Sequence, residues 1–391
     1  MKLSLLPSEL VPPDAVQTAS SQITVLRPSE QPVYIERPPV FVFDPHNTGL
    51  GGGLAQGWTT PRTPMGYRRI RNARSIGQRL VVDTDGSIIL DQILTTAEAC
   101  TTQMDVFTNR MTSLAYEDTD VAKVLGGYAS SRLDHPFQAI EEPVLSLMST
   151  EPSNYGSWLF RVLPKLLFRK HFGGNIKVMC WCPLPWQKRM LNFFGVKDED
   201  IIDVNLGSCY KLSEIYVPVN LNPFAYMSEE TLIFYKETLA RHGIQQRRDR
   251  LIYISRRSRA AAANFENVRN FIDEPSMIAA LEGQGFEVVE PETRSFIDQV
   301  RLFASAAMVV GASGAGMFNT AFSAPGTGIV DIEAFPDWLY AHCNYFSSCG
   351  HVYGIAFGLA DRSDPSPTHK RWSIDVPSTV RKVLQVRDTL L

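Results

Sequence analysis

The chain has 391 residues, of which 44% are hydrophobic and 20% charged, with a formal net charge of -3. That composition fits a globular protein of two or three domains, and the near-neutral balance gives no whole-chain attraction for nucleic acid or an anionic membrane. No run of eighteen apolar residues occurs, and residues 1–7 hold too short an apolar stretch for a signal-peptide core, so the expectation is a cytoplasmic protein with peripheral membrane contact at most.

Residues 7–66 are rich in Pro, Ser and Gly, and Gly49 to Gly53 with Gly57 read as a flexible loop. An irregular extension over 1–130 is expected. It holds one clear hairpin, Leu80-Val81-Val82 and Ile88-Ile89-Leu90 around an Asp-Gly turn. Asp83 and Asp85 suit that turn and lack the further acids that a calcium loop needs.

From residue 143 the pattern becomes α/β. A strand at 143–147, an apolar helix at 158–168, a strand at 176–180 and a helix at 185–194 follow one another. Pro164 sits inside the first helix and predicts a kink, since it has no N–H for the preceding turn. Ser157 and Arg161 are one helical turn apart and share a face. Shorter strand signals at 201–204 and 215–218 precede a helix at 228–242, with Ser228 as its cap and Glu229 and Glu230 in its first turn. Six cysteines, Cys100, Cys180, Cys182, Cys209, Cys343 and Cys349, are scattered without zinc-site spacing and read as buried thiols.

A basic stretch, Gln245 to Arg250, marks a domain boundary. Beyond it the strand Leu251-Ile252-Tyr253-Ile254 runs into Ser255-Arg256-Arg257-Ser258-Arg259. Arginines just past the carboxyl end of a strand stand where open α/β sheets bind ligands, and the guanidinium fork suits phosphate oxygens. Helices at 265–271 and 276–281 and a strand at 286–289 come next.

Residues 296–335 form the most informative stretch. Phe296, Val300, Phe303 and Ala307 fall at helical spacing, and Met308 to Gly311 read as a buried strand. The turn Gly311-Ala312-Ser313-Gly314-Ala315-Gly316 lets backbone approach a ligand, and the helical segment after it offers free amides to an anion. A second strand, Ile329 to Ile332, carries the acids Asp331 and Glu333. A dinucleotide fingerprint would open its domain, whereas this turn comes late in one, which argues against an NAD-dependent oxidoreductase. Two strand-helix blocks divided near residue 247 imply two Rossmann-like domains, 131–246 and 247–391. A terminal amphipathic helix is capped by Ser378.

These motifs resemble glycosyltransferase family 61. Gly314-Ala315-Gly316, Asn319, Pro325-Gly326 and Asp331 match the family's C-terminal motif, with Ser313 where that motif has His. Tyr253-Ile254-Ser255-Arg256 and Phe296 with Gln299 are similar to two further elements. Residues 154–164 are similar to an Asn-Tyr-x-His-Trp-x-x-Asp-x-Leu-Pro motif, with Ser157 in place of His and Arg161 in place of Asp.

The resemblance implies a GT-B-like α/β fold with the two domains facing a cleft, the terminal helix crossing back onto the first. It further implies inverting transfer from a uridine-linked sugar to a glycan or lipid-linked glycan in bacterial capsule or lipopolysaccharide assembly; a helix N-terminus and an arginine can stabilise the leaving diphosphate, so no cofactor or metal is expected. Donor binding is then expected of Ser255, Arg256, Arg257, Ser313, Gly314, Ala315, Gly316, Asn319, Asp331 and Glu333. Arg161 cannot accept a proton at neutral pH. The general base is therefore sought among Asp134, His135, Glu141, Glu142 and Glu151, with Glu142 and Glu151 favoured, Ser157 and Arg161 completing the catalytic set. A catalytically silent member that binds nucleotide sugar or serves as a partner subunit is the alternative.

Overall fold

In the computed structural model, the described residues are 4–6, 21–27, 33–54, 57–61, 64–89 apart from 79 and 85, 121–124, 127–130, 136–257 apart from 150 and 206, 270–334, 339–364 and 370–390. Residues 265–269 of the helix expected at 265–271, and Asp85, Cys100, Asp134, His135, Ser258 and Arg259, lie outside them, while Phe271 forms an isolated bridge to Trp372. The chain falls into two units, one of residues 1–34 and 61–223, the other of residues 35–60 and 224–391. The expected boundaries differ from these in two ways. The N-terminal 130 residues are not a separate extension, because segment 35–60 supplies strand β1 (Phe41–Phe43) to the second unit while its flanks pair into the first. The helix at 228–242 belongs with the second unit rather than the first.

The first unit is built on a ten-stranded mixed sheet. Its longest strand is β2 (Met65–Ile76), followed by the hairpin β3 (Leu80–Val82) and β4 (Ser87–Ile89). Then come β5 (Val144–Ser146), β6 (Lys177–Cys180), β7 (Ile201–Asp203) and β8 (Cys209–Pro218), of which β8, β5, β6 and β7 run parallel in that order. Strand β2 pairs antiparallel with β8 along nine residue pairs, from Cys209↔Ile76 to Pro218↔Tyr67. Its arginines hide it from a hydropathy reading. Ile70 and Ala73 enter the core with Ile215, Val217 and Leu212, while Arg69 binds the Glu214 carboxylate across the ladder.

The apolar helix of this unit changes pitch instead of kinking. Residues Tyr155–Ser157 are α-helical, Trp158–Val162 form a π-turn, and Leu163–Phe172 continue as 3-10 helix. Pro164 explains the change, since it leaves the Phe160 carbonyl without its usual donor four residues on. That carbonyl is buried, and the Asn222 side-chain amide donates to it at 2.7 Å. Helix α1 (Pro185–Phe193) then begins on its proline, as a first-turn position allows.

The second unit has a six-stranded, all-parallel sheet. Its strands are β1, β9 (Arg250–Ile254), β10 (Glu287–Val289), β11 (Ala306–Ala312), β12 (Gly328–Glu333) and β13 (Val352–Phe357), ordered β10-β9-β11-β12-β13-β1. Both β11 and β12 are buried at every residue, as a parallel sheet covered on two faces demands, and β12 carries two buried acids, Asp331 and Glu333. Gly354 in β13 has no room for a side chain: a Cβ there would stand 2.1 Å from the Phe41 ring of β1.

Helices cover both faces. Helix α2 (Glu229–Arg241), capped by Ser228 on the Thr231 N–H, stacks Tyr235 on Phe322 at 5.4 Å, which is why it belongs here. In chain order α3 (Glu274–Glu282), α4 (Phe296–Ala304), α5 (Leu339–Ser348) and α6 (Val376–Leu390) follow. The terminal helix α6 starts before Ser378, where Asp375 takes the Ser378 N–H at 3.0 Å. Its apolar face, expected on the first domain, is taken up inside its own unit: Val383 and Val386 join the core with Met277, Leu281, Met308 and Val330.

Candidate functional site

Sequence reasoning singled out two groups of residues, and each lies within one unit. In the first unit the loop after the carboxyl end of β5 is pinned from several sides. Lys165 Nζ donates to the Met148 carbonyl at 2.6 Å, while the Trp158 indole and the Gln187 amide both donate to Pro152 O, at 2.7 and 2.9 Å. Asn154 accepts the Ser157 N–H at 3.1 Å and so starts the helix. The result holds Glu151 against that helix. Ser157 Oγ donates to Glu151 Oε2 at 2.8 Å, and Arg161 Nη1 lies 3.3 Å from the same oxygen. Three of the four expected catalytic residues therefore converge on one carboxylate oxygen.

Glu142 does not join them. It precedes β5, at the amino end of the parallel strands, and pairs with Lys177 at 2.6 Å in solvent. The Lys177 ammonium holds its carboxyl below the usual carboxylate range. Ligands of open α/β sheets bind at the carboxyl ends, so this position does not suit a reacting group. Glu141 is exposed beside it, and its carbonyl accepts the Ser213 hydroxyl.

In the second unit, β9 and β11 are neighbours, so the turns after them meet. A side chain at Gly314 would approach Arg256 Nη1 to 3.3 Å, which measures how closely the guanidinium lies over the glycine turn. The segment after the turn is a 3-10 helix, Ala315–Phe322, rather than the expected α-helix. The first amides of a helix have no partner within it. Here they belong to Gly314, Ala315 and Gly316, which are half-exposed between buried Ser313 and Met317. A guanidinium beside a row of amides is a setting for an oxyanion.

The other expected donor residues surround this turn in supporting positions. Ser255 is buried and its Oγ accepts the Arg257 N–H at 3.2 Å. The Arg257 guanidinium turns to Glu290 at 3.4 Å. Asn319 is buried and donates to Gln299 Oε1 at 3.2 Å, tying the 3-10 helix to α4. Glu333 is buried, its Oε1 accepting the Ala334 N–H at 2.8 Å. Asp331, wholly buried, faces His342.

Sequence reasoning missed two members of this polar group. His342, from the first turn of α5, places Nδ1 3.2 Å from Ser313 Oγ and 3.1 Å from Asp331 Oδ2. Glu36, from the segment that carries β1, is 2% exposed, and burial pushes its carboxyl above the ordinary range against the Thr60 and Ser347 hydroxyls. Nearby Cys343 is likewise pushed up by burial, with Asp331, Glu36 and Glu333 adding to the effect. Neither His342 nor Glu36 sits in a recognisable motif. Only the tertiary fold brings them to the acids of β12.

Residues 155–330 match the family model described as Glycosyltransferase 61. The match begins at Tyr155 and ends within β12, so it takes in Ser157, Arg161, Arg256 and the glycine turn while leaving out Glu151, Asp331, His342 and Glu36. No curated protein matches the chain. The matched stretch supports a glycosyltransferase.

Proposed function

We propose that the chain is a GT-B-type glycosyltransferase that moves a sugar from a nucleotide-diphosphate donor, uridine-linked, to a hydroxyl of a glycan or lipid-linked glycan in bacterial surface polysaccharide assembly such as capsule. The observation that carries the reading is the approach of Arg256 to Gly314 at the carboxyl end of a parallel sheet, inside the stretch that matches the family. Departure of the donor leaves negative charge on the diphosphate. A guanidinium and the amides of Gly314 to Gly316 can stabilise that charge without a metal ion, fixed dipoles acting where the charge develops. The work would be done at the inner face of the cell membrane. Among the described residues, no helix is long and apolar enough to cross a membrane.

Inversion at the anomeric carbon calls for a base at the acceptor hydroxyl, and Glu151 is the residue we assign. Ser157 and Arg161 orient its carboxylate. The same two contacts favour one alternative, a silent member whose carboxylate is spent internally. A thermal-shift panel of nucleotide sugars, followed by a product assay on the hit, separates the two. Transfer supports the enzyme. Saturable donor binding that never leads to transfer, with Arg161→Asp gaining activity, supports the silent form, and the absence of any uridine-nucleotide binding refutes both.

A further inference from the structure

His342 offers one ring nitrogen to two oxygen atoms. Its Nδ1 lies 3.1 Å from Asp331 Oδ2 and 3.2 Å from Ser313 Oγ, in a ring that is 2% exposed and packed edge-on against Phe318 at 4.8 Å and Phe346 at 5.8 Å. Asp331 has no exposed surface, so water does not compete for the contact. An ionised carboxylate only accepts hydrogen bonds, and a ring nitrogen beside it must therefore carry the proton. This holds for the neutral Nδ1–H tautomer and for the imidazolium alike.

The consequence falls on Ser313. Facing the same N–H, its oxygen accepts, and its single hydroxyl proton points away from the ring. Among the described residues, no other partner takes that proton. Ser313 immediately precedes Gly314, over which the Arg256 guanidinium lies. A buried hydroxyl thus has a committed acceptor side and an uncommitted donor side next to an oxyanion setting.

We propose that His342 is a positioning residue that, with its tautomer fixed by Asp331, presents Ser313 as a hydrogen-bond donor to a phosphate oxygen of the bound nucleoside diphosphate. This rests on the reading of the glycine turn as the donor site. It differs from a purely architectural Ser-His-Asp network in one respect: an architectural network sets the position of α5 but is indifferent to which partner of Ser313 holds the proton. Asp331→Asn separates the two, because an amide can donate to Nδ1, drive the ring proton to Nε2 and turn the Ser313 hydroxyl back toward the ring.

Nitrogen-15 NMR of the histidine rings in the full-length protein tests the first half. The His342 signals are identified by their loss in His342→Gln. Wild type is expected to show a protonated Nδ1 and Asp331→Asn a protonated Nε2, whereas an unprotonated Nδ1 in wild type overturns the proposal. Calorimetry with uridine diphosphate and with uridine tests the second half. Ser313→Ala and Asp331→Asn should each weaken uridine diphosphate about tenfold or more, the scale of a hydrogen bond to a charged group, with little change for uridine. The double variant should be no weaker than either single one. Should Asp331→Asn fail to fold, Ser313→Ala and the wild-type spectrum still decide. Wild type that binds no uridine diphosphate refutes the donor-site reading and this proposal together; wild type that binds it as tightly as Ser313→Ala does refutes only this proposal.

Discussion

At the scale of single residues, Arg161 and Arg256, both selected from the sequence, have different surroundings. Arg161 is bound to Glu151 beside a buried serine, while Arg256 lies over a turn whose residues Gly314 to Gly316 are half-buried. If Arg256 holds the donor diphosphate, Arg256→Ala removes a charge-assisted hydrogen bond. It should then cost about 1.5 to 3 kcal/mol in uridine diphosphate binding, measured by calorimetry. If Glu151 is the base, Glu151→Gln keeps the shape and the Ser157 contact. Donor affinity should stay as it is and transfer should fall about a hundredfold or more, which a single-turnover product assay would read. Glu142→Gln is the control. Its exposed pair with Lys177 is worth little, so neither stability nor turnover should move.

At the scale of elements, the helix of residues 155–172 depends on a partner far away in sequence. Proline removes one donor from its middle, and Asn222, some sixty positions later, returns one. Asn222→Ala removes this buried hydrogen bond to the Phe160 carbonyl, and urea denaturation should show a loss of about 1 to 3 kcal/mol. Because Trp158 and Lys165 of the same helix pin the Glu151 loop, that variant should also loosen the candidate base. The supporting elements of the second unit follow a similar logic. Helix α2 is amphipathic and its cap is legible, yet the sequence cannot say which sheet its Tyr235 will meet. Phe322, on which that ring stacks, is eighty-odd residues further on.

At the scale of the whole molecule, one buried acid of the second unit, Glu36, sets a pH dependence. Burial raises the Glu36 carboxyl above its ordinary value of 4.5. A carboxyl raised on folding makes the folded state bind its proton more tightly than the unfolded one. The stability this contributes is present in full below the unfolded value and is lost as pH rises through the folded one, so at neutral pH the charged carboxylate is a burden. Glu36→Gln should therefore raise the melting temperature at pH 7, and the gain should vanish near pH 4. A Glu36→Gln variant no more stable than wild type at pH 7 would contradict the burial argument.

Much was legible from the sequence alone, because it is local. Strands β5, β6, β9, β11 and β12, helices α1 to α4 and the glycine turn announce themselves through apolar runs, helical spacing, caps and turn residues, all of which act within a few positions. The pairing of Arg256 with the turn was also foreseeable, since each follows a strand and ligands gather at such ends. Strand β2 was not, because its Arg69 and Arg71 are satisfied by Glu214 across the ladder, a partner that only the folded sheet supplies. Nor was the departure of segment 35–60 to the second sheet, where β1 gains a parallel neighbour more than three hundred residues away. His342 and Glu36 belong to the same class. A lone histidine or glutamate carries no signal of its own, and its chemistry is fixed by what burial places against it: Asp331 and Ser313 in one case, the Thr60 and Ser347 hydroxyls in the other. Short-range stereochemistry and hydrophobic periodicity are written in the chain, whereas the desolvation and long-range contacts that surround these groups exist only once it has folded.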